Sequence, residues 1–149
     1  MTSTIYSSNK KARFDYEVLE TYIAGVKLYG HEVKSVKKGS ASLRGAFVII
    51  RGGEPYLTNV TIPPYQERNL TPNYDPQRTR KLLLNKKEVQ EIEDKLQAKG
   101  LTLVPLRLYN NRGLIKVEIG LMRGKKKYDK RETIKKREAE RKIIRSLKS

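Results

Sequence analysis

The sequence predicts a mainly β domain with helices, of the α+β class, followed by a basic C-terminal tail. Three observations carry this. Short runs rich in Val, Ile, Leu and Tyr alternate in polarity and are separated by turns rich in Gly and Asn. One segment, bounded by Asn85 and Gly100, has helical periodicity, and the chain lacks the strand–helix–strand rhythm of a parallel sheet. After Arg123 the composition changes to Lys, Arg and Glu with few apolar residues. A small antiparallel barrel, or a sheet closed by a helix, satisfies all three. An OB-like barrel is one candidate, and the pattern leaves strand order open.

Taken in order, residues 1–8 are small and polar and are expected as a loose arm. Asn9, Lys10, Lys11, Ala12 and Arg13 make a basic entry segment. From Phe14 the chain alternates, Tyr16 and Val18 against Asp15 and Glu17, and reads as a strand. Ala24-Gly25 is expected to interrupt it as a bulge or bend, and Gly30 to end it. Val33 and Val36 stand three apart before Gly39, which predicts a short helix over 32–38. Residues 47–50 are apolar and lead through Gly52-Gly53 to Tyr56, Leu57 and Val60, a hairpin. Residues 62–76 hold Pro63, Pro64, Pro72 and Pro76 and read as an irregular loop. Residues 79–84 are a strand or the entry to a helix. Asn85 with Glu88 forms a capping pair, and Val89, Ile92 and Leu96 predict a helix over 86–99. Residues 101–109 and 114–122 are strands joined by a turn at 110–113. Pro105 marks an edge or bulge, and Ile115, Val117, Ile119 and Leu121 alternate against Lys116, Glu118 and Gly120.

The expected organisation is one domain over 9–123 and a tail over 124–149. The formal net charge is +17, from 33 Lys and Arg against 16 Asp and Glu. Residues 123–148 alone hold 13 basic and 4 acidic side chains, a net of +9. Such charge points to a phosphate-rich partner, nucleic acid before anionic membrane. No apolar run approaches the roughly 20 residues needed to span a bilayer, and no signal-peptide core is present. A cytoplasmic protein is expected. Ile134 and Ala139 are isolated in the tail, and only Ile143, Ile144 and Leu147 cluster at helical spacing. Charge alone fits two readings: a tail that is disordered when free and helical against a polyanion, or a solvated extension with no defined structure when bound.

The residues argue against catalysis. The only histidine is His31, there is no cysteine, and no metal, phosphate-loop or nucleophile motif is present, so no cofactor is expected. Nucleic-acid binding has positive signals. Lys10, Lys11 and Arg13 stand beside Phe14 and Tyr16, Arg78, Thr79, Arg80 and Lys81 form a second cluster, and Lys34, Lys37 and Lys38 a third.

At these same positions a larger pattern emerges. Asn9-Lys10-Lys11-Ala12-Arg13, Gly30-x-Glu32-Val33-Lys34-Ser35, Asp75-Pro76-x-Arg78-Thr79-Arg80-Lys81-Leu82-Leu83-Leu84, Gly100-Leu101-Thr102-Leu103-Val104-Pro105-Leu106 and Gly124-Lys125-Lys126-x-Tyr128-Asp129-Lys130-Arg131 occur in that order. Together they resemble the SmpB family, the SsrA-binding proteins of bacterial trans-translation, over nearly the whole chain. The resemblance implies an OB-like closed β-barrel with packed helices and a tail disordered until bound. It implies a non-enzymatic adaptor, expected as a monomer, whose barrel binds the tRNA-like domain of tmRNA and whose tail enters the empty mRNA channel of a stalled ribosome. The tmRNA-contact positions would be Asn9, Lys10, Arg13, Leu83 and the Arg78–Lys81 patch, with Lys11, Phe14 and Lys34 added from the charge and aromatic pattern. The ribosomal positions would be Asp129, Lys130 and Arg131, within a tail surface that includes Gly124, Lys125, Lys126, Tyr128, Lys135, Lys136 and Arg137. Phe14 stands where family members commonly have His, which keeps stacking but removes a ring hydrogen bond. Ile23 stands where many carry Glu. Two competing classes are a ribosomal or initiation-type OB protein bound constitutively to ribosomal RNA, and an RNA-processing enzyme.

Overall fold

The computed structural model describes residues 4–65, 73–98, 100–124 and 137–139. Their order is β1 (Ile5–Ser8), α1 (Lys10–Asp15), β2 (Tyr16–Val26), α2 (Gly30–Lys37), β3 (Phe47–Arg51), β4 (Glu54–Thr58), β5 (Arg80–Leu83), α3 (Lys86–Leu96), β6 (Leu101–Asn111) and β7 (Leu114–Gly124). The sheet order is β1-β6-β3-β4-β5-β2-β7, with a further pairing of β6 to β7. Every pairing is antiparallel. The fold is therefore mainly antiparallel β with a few helices, as the turn-separated alternating runs predict.

Several boundaries differ from the sequence reading. Ile5–Ser8, expected within a loose arm, pairs with β6 and gives that strand a partner beside Leu108. The irregularity expected at Ala24-Gly25 lies instead between Val18 and Glu20, where β2 bulges against β7. Gly25 is where β2 changes partner, facing Lys116 on one side and Leu83 on the other. Gly30 opens α2 rather than only ending a strand, because Glu32 reaches back to the Tyr29 N–H as the second half of a capping box. Residues 80–83 are strand. In the β3–β4 turn Gly52 and Gly53 both have positive φ, 59° and 75°, the requirement of a tight two-residue hairpin.

The main core lies on the inner face. Leu103, Leu108, Val117, Ile119 and Leu121 meet Ala24, Val48, Leu57, Leu82 and, from α3, Ile92. Leu96 and Leu101 are partly buried against it. Val117 is fully buried, so Val117→Ala is expected to cost roughly 2 kcal/mol through lost burial and a residual cavity. Urea denaturation measures it, and a loss of a few tenths would mean the site collapses freely.

A second, smaller core lies outside the sheet. The bulge between Pro105 and Arg107 shifts the register of β6. Leu106 thereby joins Val104 in an outer cluster with Met122 and Ala12, while Leu108 returns to the inner core. Ala12 is the one buried residue of α1, so this patch is what seats that short helix.

Candidate nucleic-acid interface

The structure builds the first predicted cluster around α1. Asn9 caps the helix, its Oδ1 accepting from the Ala12 N–H at 3.2 Å. Its Nδ2 donates to the Leu43 carbonyl at 3.3 Å and the Pro105 carbonyl at 3.1 Å. Both amide hydrogens are thus committed, and the residue is buried. Asn9, expected among the tmRNA contacts, is thus engaged within the fold, and it fixes α1 with Lys10, Lys11 and Arg13 all exposed. Arg13 is held by Glu118 at 3.1 Å, and the same carboxylate takes Arg107 at 3.1 Å, tying α1 to the β6–β7 hairpin. Lys10 and Lys11 make no ion pair among the described residues. Phe14 is half-buried, with the Arg137 guanidinium 5.7 Å from its ring centre. Asn9→Ala removes a cap and both side-chain amide donors, for about 2 kcal/mol. It is expected to weaken RNA binding while the salt dependence stays that of the wild type, since no charge is lost. A lowered slope in a salt titration would show that the α1 cations lose phosphate contacts along with the cap.

The second cluster is arranged around a buried carboxylate. Glu32, in the first turn of α2, is inaccessible to solvent, and so is Arg80 at the start of β5. Arg80 Nε and Nη2 donate to Glu32 Oε2 at 2.9 and 2.6 Å. Nη1 donates to the carbonyls of Val60 at 2.9 Å and Arg78 at 3.0 Å, and Nη2 also to Pro76 at 3.0 Å. Every guanidinium hydrogen has an acceptor. Arg78 closes on Glu32 Oε1 and stacks 4.0 Å above the Tyr29 ring. Tyr74 meets Glu32 Oε2 at 2.9 Å and the Ile62 carbonyl at 2.8 Å. Burial alone would raise the Glu32 pKa, but hydrogen bonds from Arg78, the Tyr29 N–H and Arg80, with the Arg80 charge, outweigh it and hold the carboxyl at about 2. Burial, then the hydrogen bond to Glu32, pushes the Tyr74 hydroxyl up to about 12. Arg80, counted by sequence among the RNA contacts, is therefore internal, and Arg78 is largely spent on Glu32. His31 packs edge-on against Tyr74 with centroids 4.6 Å apart.

The remaining candidates are at the surface. Thr79 is exposed, and Lys81 pairs with Glu54 at 3.2 Å, both side chains well solvated. Leu83 is 48% exposed beside Gly25, and Ile23 is 43% exposed on the same strand face as Gly25. Lys34 lies 5.8 Å and Lys38 5.9 Å from the centre of the Tyr65 ring. Gly124 is the exposed end of β7, and Arg137 belongs to a helical segment over 137–139. Lys125, Lys126, Tyr128, Asp129, Lys130, Arg131, Lys135 and Lys136 lie outside the described residues. Sequence reasoning missed Glu32 as the organiser of the second cluster. Its one signal was a carboxylate three residues after Tyr29, in capping-box spacing, among lysines.

A mainly antiparallel β domain with this charge, presenting on one helix a half-buried ring and lysines that are unpaired among the described residues, falls in the class of basic RNA-binding β domains. The comparisons narrow the class. The family model described as "SmpB protein" matches residues 6–149. The SsrA-binding protein of Trichodesmium erythraeum is 50% identical over 144 residues, 97% of this chain and 92% of the relative. That of Thermosipho melanesiensis is 51% identical over 145 residues, 97% of this chain and 98% of the relative. A solved structure described as "tmRNA-SmpB: a journey to the center of the bacterial ribosome" superposes with a TM-score of 0.67 at 50% identity, covering 80% of this chain and 84% of the other. The chain belongs to the SmpB family.

Proposed function

We propose that this protein binds tmRNA and acts with it in trans-translation on the ribosome. What carries the reading is family membership across 6–149, joined to exposed lysines on α1 that make no ion pair among the described residues. In this reading α1 and the outer face of β2 and β5 hold the tRNA-like domain, through Lys10, Lys11, Arg13, Phe14, Thr79, Lys81 and Leu83. The pairings that run β6-β3-β4-β5-β2-β7 and return to β6 support a closed barrel of OB type as the platform. The protein acts as an adaptor rather than an enzyme, as a cytoplasmic monomer without a cofactor. The tail occupies the empty mRNA channel of the stalled ribosome, with Tyr128 stacking and Lys130 and Arg131 meeting phosphates near the decoding centre.

Sequencing the RNA that co-purifies with the full chain tests the central reading. One small structured RNA in stoichiometric amount is expected, whereas ribosomal RNA bound constitutively would point to a ribosomal protein instead. Within the interface, Lys81→Ala is expected to lower the salt dependence of tmRNA binding by about one counterion. An unchanged slope would remove β5 from the contact surface. For the tail, permuting Asp129, Lys130 and Arg131 keeps composition and charge while moving each group. Normal tagging by the permuted chain would reduce the tail to a polycation.

A further inference from the structure

The basic surface does not stop at α1. Two clefts flank this helix, one of about 480 Å³ and one of about 570 Å³, and both are lined by Asn9, Lys11 and Arg44. The first adds Lys10 and contains no acidic side chain; the second adds Tyr16, Phe47 and a single acid, Asp15. Phe47 is 39% exposed at the start of β3 and Tyr16 is half-buried at the start of β2, so both rings contribute apolar surface to a charged groove. Arg44 is exposed and, like Lys10 and Lys11, makes no ion pair among the described residues. This separates it from Arg13, Arg78, Lys81 and Arg123, each of which is held by a carboxylate.

Arg44 is also held in place. Asn9 Nδ2 donates to the carbonyl of the residue before it, Leu43, at 3.3 Å. The Ala46 N–H closes a turn on that same carbonyl at 3.0 Å, and the Arg44 N–H donates to Ser42 Oγ at 3.4 Å. Ser42 in turn exchanges two backbone hydrogen bonds with Thr61, at 2.9 and 3.0 Å. One buried amide therefore sets the spacing between the α1 lysines and Arg44. A cation fixed in advance loses less conformational freedom on meeting a phosphate than one on a free loop.

We infer that the groove between α1 and the turn leading into β3 takes a looped-out segment of RNA, its phosphates on Lys11 and Arg44 and an unstacked base against Phe47. Unpaired cations along a groove with an accessible ring on its wall are what such a segment requires. The inference rests on the tmRNA reading and extends that interface to Arg44 and Phe47, on the far side of the groove from α1.

The test uses the full chain and a labelled tmRNA transcript, titrated across a range of salt concentrations. Arg44→Ala is expected to weaken binding several-fold near physiological salt and to lower the salt slope by about one, with Arg44→Lys restoring the slope. Phe47→Leu keeps an apolar side chain on the strand but removes the ring. It is expected to weaken binding roughly 5-fold or more at an unchanged slope. Lys87→Ala, exposed on α3, serves as the control for non-specific loss of charge. An Arg44→Ala protein with the wild-type slope, or a Phe47→Leu protein with wild-type affinity, overturns the groove. Wild-type protein that does not bind the transcript overturns the tmRNA reading and the groove with it, so the two failures are distinct.

Discussion

Replacing Glu32 by Gln is expected to cost about 3–5 kcal/mol of folding stability, the range for breaking a buried ion pair by removing one partner. The side chain keeps its shape but loses its charge and one of its two acceptor oxygens. Arg80 is left ionised and sealed from water, answered only by neutral acceptors: the Gln amide oxygen, the Tyr74 hydroxyl and the Val60, Arg78 and Pro76 carbonyls. Those dipoles satisfy hydrogen bonds but do not neutralise a charge. Adding Arg80→Met to Glu32→Gln should cost less than the two single changes together, because the stranded cation is then gone. Equal costs for the double variant and the sum would mean that the two residues are not coupled, contrary to their 2.6 Å contact.

The same network predicts an acid limb. The carboxyl is held at about 2 against 4.5 in the unfolded chain, so the folded state binds the proton less readily than the unfolded one. Its contribution is complete above pH 4.5 and is lost as pH falls toward 2. The shift corresponds to on the order of 3 kcal/mol. Stability measured against pH should therefore fall through this window in the wild type and run flatter in Glu32→Gln. The change also reaches the surface, because Glu32 anchors Arg78, and Arg78 stacks on the exposed Tyr29.

What the sequence made legible was whatever local pattern enforces. The hairpin at Gly52-Gly53 follows from two residues free to take positive φ, α3 from apolar spacing behind an Asn cap, and the β6–β7 pair from alternation around a turn. What it hid depends on partners distant in the chain. Glu32 sits among lysines and reads as one more solvated charge; it is buried because Arg78 and Arg80 arrive from 46 and 48 residues away. Asn9 is expected as an RNA contact only through the family resemblance. Its cap to Ala12 belongs to a helix of six residues with a single buried position, too short to show a period. β1 has no alternation to detect, and its place is set by β6 rather than by its own residues. The candidate site was thus legible as composition, while the division between its exposed cations and its internal ones was not.

Gly120 is the other residue whose neighbours could not be read from sequence, and Gly120→Val is expected to cost about 3 kcal/mol or more, at or beyond the usual range for overpacking. By alternation it falls on the polar face of β7 with Lys116 and Glu118. In the fold that face carries the outer core at this point, opposite Thr21 of β2 and Val104 of β6. A Cβ placed on Gly120 would come within 2.7 Å of Met122 Sδ and 2.9 Å of Leu106 Cδ1. Both side chains are buried, and they share the outer cluster with Val104 and with Ala12, the residue that seats α1. Valine adds two further methyl groups to a space that does not hold the first carbon. Met122 is unbranched and can move, so Gly120→Ala should be milder. The relief for valine must come from lifting α1, and with it Lys10, Lys11 and Arg13. Loss of stability should therefore come with weaker tmRNA binding, even at temperatures where the domain is folded. Hydrogen exchange locates the damage: faster exchange is expected at the Ala12 N–H, which Asn9 accepts, with the β3–β4 hairpin unchanged. Protection kept at α1 alongside wild-type binding would mean that Met122 and Leu106 absorb the insertion, and that the glycine is not what allows the helix to seat.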